Sequence, residues 1–187
     1  IPPDITLLLQ AAALAVCSAI LPFSANSFAM ELPVHLATFF LTALMCHQAL
    51  VARRPDAAHL TEFYFWMSLG GVLGGSFNAF LAPVIFNNVW EYPLVLVLSC
   101  LARPWGDWKI GGFAKAMLIV GVGGGLASPI LSTFVAPHVY AKPVIAGFTQ
   151  IQIFDLGVLV CLGASTIAAF LVRNHALLFF AVIAVLT

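Results

Sequence analysis

Residues 60–104 read LTEFYFWMSLGGVLGGSFNAFLAPVIFNNVWEYPLVLVLSCLARP. Thr61 and Glu62 have the look of a capped helix start, and an aromatic cluster follows at Phe63, Tyr64, Phe65 and Trp66. Paired glycines stand at Gly70, Gly71, Gly74 and Gly75, then an amide at Asn78 and a break at Ala82-Pro83. Beyond a polar link at Asn87-Asn88, Glu91-Tyr92-Pro93 opens a second apolar run that ends at Arg103-Pro104. A membrane-crossing helix needs about 20 mainly apolar residues, and 61–81 has that length. The second run, 92–102, would cover only about 17 Å at ~1.5 Å per residue, against a hydrocarbon core of about 30 Å. Either its helix starts earlier, near Val84, or it dips into the membrane shielded by its neighbours.

The rest of the chain agrees with a membrane reading. Hydrophobic residues make up 63% of the 187 and charged residues 7%, with a mean hydropathy of +1.09. Soluble domains carry about 25% charged residues. Further apolar runs cover 5–23, 32–52, 112–135, 144–172 and 176–187. The expected fold is therefore an all-α polytopic transmembrane helix bundle of about six to seven membrane segments, one of them short or re-entrant. Seven basic and seven acidic residues leave no net charge, hence no basic footprint for nucleic acid. The expected partners are the lipid bilayer and other membrane helices or subunits. No secretory signal is read at the start, where Asp4 stands in place of a basic n-region. The sequence begins at Ile1 without Met and ends at Thr187 within an apolar run. Residues 1–187 are accordingly expected to be a single transmembrane domain, a piece of a longer chain.

Few residues in this composition can carry chemistry. Gly70/Gly74 and Gly71/Gly75 form two overlapping GxxxG pairs; four apart, they share a helix face on which another backbone can approach closely, and Ser68 widens it. Burial of these four glycines against another helix or a partner subunit is the expectation; the other reading has the flat face lining a substrate path. Asn78, deep in a span, needs a partner, most simply an interhelical hydrogen bond. Gln150, Gln152 and Asp155 complete a possible intramembrane polar site. An ionisable group inside a span is costly unless paired, and Gln152, Asn78 or Lys115 could serve. If the membrane begins near Ile153, the same three residues are solvated helix-start groups, and both readings stand. The run Val120-Gly121-Val122-Gly123-Gly124-Gly125 lacks the strand and following acidic residue of a nucleotide-binding loop and reads as a packing face. The cysteines (Cys17, Cys46, Cys100, Cys161) lie one to a run and read as small hydrophobes. No histidine has a partner at i+4, no nucleophile–base spacing is visible, and no catalytic, cofactor-binding or metal-ligating residue is assigned.

Basic residues favour the cytoplasmic side of short membrane loops. Arg53-Arg54, Arg103 with Lys109, and Arg173 follow the second, fourth and sixth runs, so they share a side only if the short fourth run crosses. The opposite links hold Glu31, Asn87, Asn88, Glu91 and His138, with Lys142 as the exception. This pattern favours crossing and puts Ile1 on the cytoplasmic side.

The runs LTEFYFWMSLGGVLGGSFNAFLAP and EYPLVLVLSCLARP, with the preceding HLATFFLTALMCHQALVARRPDAAHLTEFY, resemble the membrane half of bacterial fused transporter-like/spermidine synthase-like proteins. The resemblance covers roughly residues 35–104 and includes Cys46-His47 ahead of the Arg53-Arg54-Pro55 turn. It implies an integral protein of the bacterial inner membrane, in which the membrane half serves as an anchor or as a path for a polyamine or related substrate. It further implies a following aminopropyltransferase-like domain with a Rossmann-like core, a catalytic aspartate and bound decarboxylated S-adenosylmethionine. No part of such a domain lies within these 187 residues, so no catalytic residue is carried over, no cofactor is expected in this chain, and whether the full protein is an enzyme stays open. The other expectation, from a different class, is a non-catalytic structural subunit of a larger membrane protein complex.

Overall fold

The computed structural model describes residues 1–21, 28–87, 90–104, 109–131 and 150–187; for 28–30 and 150–156 only the backbone is described. Every regular element among them is helical. In chain order they are α1 (Pro3–Ile20), α2 (Phe28–Ala52), a 3-10 turn (Ala57–His59), α3 (Leu60–Ser76), a π turn (Phe77–Leu81), α4 (Ala82–Ile85) and α5 (Glu91–Ser99). A second 3-10 turn (Cys100–Ala102), α6 (Gly112–Ile130), α7 (Gln150–Leu171) and α8 (Ala176–Leu186) follow. Four helical stretches are long and apolar enough to cross a membrane: Pro3–Ile20, Glu31–Ala52, Ala57–Ile85 and Gly112–Ile130. Three are apolar but shorter, Glu91–Ala102, Gly157–Leu171 and Ala176–Leu186. This architecture fits an integral membrane protein.

The faces of α1 show why. Pro3 and Asp4 occupy its first turn, where a missing N–H costs nothing and a carboxylate favours the positive helix end. The buried side holds Thr6, Gln10, Ala11, Leu14, Ala15, Cys17 and Ser18, while Leu8, Leu9 and Val16 point outward. A helix in water would be turned the other way. In lipid, large aliphatic side chains lose nothing by facing outward, and small or polar groups form the interhelical contacts.

The core lies where α1, α7 and α8 meet, with Leu14, Phe179, Val182 and Ile183 fully buried. α6 packs along α7 and also on α8, α2 lies on α1, and the short α5 is laid against α1 and α8. The α3 segment stands apart. From Ala57 to Ile85 it forms one helical rod of 29 residues, of whose most apolar window only 6% is buried, and among the described residues no helix packs along it.

Two local expectations are corrected here. The helix of this rod starts at Leu60, behind the 3-10 turn, without a side-chain cap, so Thr61 is not its capping residue. Glu62 does sit in the first turn, and Trp66 Nε1 donates to its carboxylate at 3.4 Å. Nor does Pro83 break the helix. Proline has no N–H to give and its ring crowds the carbonyl four residues back; the helix widens instead, and the Ala82 N–H reaches the Phe77 carbonyl five residues back. The chain turns extended only at Phe86.

Candidate functional site

Two polar clusters hold α5 against α1, one near each end of the short helix. At its start, the Tyr92 hydroxyl lies 2.5 Å from His35 Nδ1 and 3.5 Å from Cys17 Sγ. Cys17 Sγ is itself 3.2 Å from the same His35 nitrogen, and the Tyr92 and His35 rings meet edge to face with centroids 5.2 Å apart. Three helices, α1, α2 and α5, each contribute one member. The thiol, imidazole and phenol satisfy one another, and Cys17 is fully buried, so the triangle acts as a clasp between helices rather than as an exposed nucleophile. Sequence spacing gave no sign of this cysteine–histidine pair, because its members come from separate helices.

At the other end of α5, Arg103 is 4% exposed. Its Nη1 donates to the Leu7 carbonyl at 3.1 Å and to Gln10 Oε1, and its guanidinium lies 5.1 Å from the centre of the Phe179 ring. Gln10, also fully buried, donates through Nε2 to Thr42 of α2 at 3.4 Å. One glutamine thus joins α1, α2 and the end of α5. Burial is the first reason that the Arg103 guanidinium is held below its ordinary range, at about 10, and nearby Arg173 pushes the same way; it remains a cation near neutral pH. Its Nε, buried as well, has no hydrogen-bond partner among the described residues.

Around Arg103 the basic ends of the helices converge. A cleft of about 270 Å³ is lined by Asp4, Leu7, Leu8, Arg103, Pro104, Arg173 and Asn174. Beside it, sharing Leu7 and Pro104, a cleft of about 250 Å³ is bounded by Pro3, Gln48 and Arg53 among others. Gln48 Nε2 donates to the Ile1 carbonyl there at 3.0 Å. Arg53, Arg103, Arg173 and Ile1 therefore gather at one end of the bundle, the grouping that follows if the short α5 runs from one end to the other. Between Cys17 and Leu7, α5 and its 3-10 turn follow α1 for ten residues, about 15 Å.

The glycines divide into two groups. Around Gly70, Gly71, Gly74 and Gly75 no described residue lies within 4 Å of where a Cβ would stand; among the described residues the face is open, not buried against another helix. Asn78 is exposed on the π turn and makes no interhelical bond with the described residues. In the other group, a Cβ at Gly121 would come within 2.8 Å of Val182, at Gly125 within 2.7 Å of Val185, and at Gly124 within 2.7 Å of the Cys161 carbonyl oxygen. The buried Ser165 hydroxyl donates to the Gly121 carbonyl at 2.5 Å. The glycine run of α6 is a packing face, closed by α7 and α8. Gln150, Gln152 and Asp155 fall in the first turns of α7, and their side chains lie outside the described residues.

Among the described residues no group of three or more His, Cys, Asp or Glu could hold a metal ion. Fold and clusters together define a helical membrane-type bundle with polar clasps and one open helix. Comparison with protein-family models, with curated proteins and with solved structures returns no match for this chain.

Proposed function

We propose that this chain is the membrane-embedded domain of a spermidine synthase-like, aminopropyltransferase-like protein of the bacterial inner membrane, and that it acts as the anchor. Its segments number six to seven, α5 is the short one that crosses, and the Arg53, Arg103 and Arg173 end faces the cytoplasm, where a soluble transferase domain would sit. The observation that favours an anchor over a substrate path is the closed core. Leu14, Phe179, Val182 and Ile183 are fully buried where α1 and α8 meet, and the Arg-lined clefts lie at one end of the bundle. Fractionation of the full-length protein tests the reading. Deleting residues 1–187 together with the further span that brings the chain back to the cytoplasmic side should release the soluble remainder with aminopropyl transfer to putrescine intact. Proteoliposomes of the full protein should show no polyamine flux above empty vesicles. Flux that depends on 1–187 would replace the anchor by a path.

A second reading, a non-catalytic subunit of a larger membrane complex, is favoured by the open rod of Ala57–Ile85. Exposed Phe65, Trp66, Val72, Leu73 and Phe80 flank its bare glycines. A full-length protein without transferase activity that co-purifies at fixed stoichiometry with another membrane protein would favour this reading over the anchor.

A further inference from the structure

Arg103 is a buried cation whose described partners are neutral. Its hydrogen bonds go to a carbonyl and an amide oxygen, and its buried Nε–H has no acceptor among the described residues. Orphaned buried donors on a charged group are costly, and a guanidinium is built to offer its N–H groups as a fork to a phosphate or carboxylate. The cleft that Arg103 lines carries a second guanidinium, Arg173, and the Asn174 amide. Arg173 is tied only locally, to the Phe170 carbonyl at 3.0 Å and over the Phe170 ring. Asp4 shares the cleft but makes no ion pair with either arginine, so two guanidiniums face one carboxylate and one positive charge is left over. At about 270 Å³ the cleft is many times the ~10–15 Å³ that holds one water. It opens at the basic end of the bundle, where headgroups lie when the helices cross a bilayer, and basic pockets between membrane helices hold anionic headgroups.

From these contacts we infer that the cleft of Arg103, Arg173 and Asn174 is a binding site for a phosphate oxyanion. The Arg103 guanidinium supplies positive charge from the wall of the cleft, and Arg173 and Asn174 line it beside Arg103. A phosphodiester, carrying one negative charge, cancels the excess charge of the cleft and needs no co-ion. The source of that group is either a glycerophospholipid headgroup or free phosphate.

Native mass spectrometry of the full-length protein, released from mild detergent, separates the possibilities. With phosphatidylglycerol as the probe, one lipid should be retained per chain. Arg173→Gln should lower the apparent affinity at least tenfold, and its local bonding leaves the fold undisturbed, whereas Arg103→Gln removes a bundle contact as well. Asp4→Asn, which removes the competing carboxylate, should tighten retention, and Lys115→Gln, outside the cleft, should change nothing. If millimolar inorganic phosphate displaces the lipid and binds with the same dependence on Arg173, the site stands and free phosphate is its ligand. Retention in Arg173→Gln equal to the unaltered protein, or binding of neither probe, would overturn the site.

Discussion

The chain contains two glycine-rich helical faces, and they behave in opposite ways. On α6, Gly121, Gly124 and Gly125 let α7 and α8 approach so closely that a single added methyl at Gly124 would stand 2.7 Å from a backbone oxygen. On α3, Gly70, Gly71, Gly74 and Gly75 repeat the same four-residue spacing and meet no described residue. The difference does not lie in the glycines. α7 and α8 bring Ala168, Ser165, Val182 and Val185 to the first face, while no helix among the described residues comes to the second. Small-residue spacing encodes a capacity for close approach; the partner is encoded elsewhere, in this chain for α6 and, on the proposed readings, outside it for α3.

Substitutions can break or sharpen that contrast. The largest effect is expected for Gly124→Ala. The new Cβ meets main chain, which cannot rotate away, and α6 must part from α7 at a cost in the range of about 1–3 kcal/mol for overpacking, read as a lowered unfolding midpoint in detergent. Ser165→Ala comes next, since it leaves the Gly121 carbonyl without its buried donor, and should cost about 1 kcal/mol. Gly74→Leu should leave the unfolding of the isolated chain within about 0.5 kcal/mol, as expected of a position without neighbours. In the full-length assembly, cross-linking yield or hydrodynamic size should fall. Unchanged assembly would mean that the α3 face is simply lipid-exposed. The smallest effect belongs to Gly123→Ala, on the packed run but with nothing within 4 Å. A loss there comparable to that of Gly124→Ala would show that helix backbone strain, not interhelical contact, governs the run.

What could be read in the sequence follows from the range of each signal. Four apolar runs long enough to cross, the shortness of the 92–102 segment and the packing role of Val120–Gly125 all depend on neighbours a few residues apart, and these reappear among the described residues. Thr61 failed as a cap because a preceding 3-10 turn already begins the helix, and Pro83 failed as a break because a π turn absorbed it. The polar clusters were beyond reach. Cys17 and His35 are 18 residues apart, His35 and Tyr92 57, and Gln10 and Arg103 93. Cys17 alone reads as a small hydrophobe, and nothing in the local sequence gives Gln10, His35 or Tyr92 a role. A sign was present only in the case of Arg103, which stands beside Pro104 at the end of a segment too short to span. A cation there can be drawn inward as readily as outward.

The shortness of α5 has a consequence for how the protein is made. Glu91–Ala102 is too brief to partition into the hydrocarbon as an independent segment, and its exposed donors and cation would resist it further. Its positions for docking, the His35–Cys17 pair and the Leu7–Gln10 edge, belong to α1 and α2, which leave the ribosome earlier. The surface that covers its other side, on α8, is synthesised some eighty residues later. During biogenesis, then, this segment spends an interval half-clad, held by two polar handholds on the older helices, until α8 arrives to close over it.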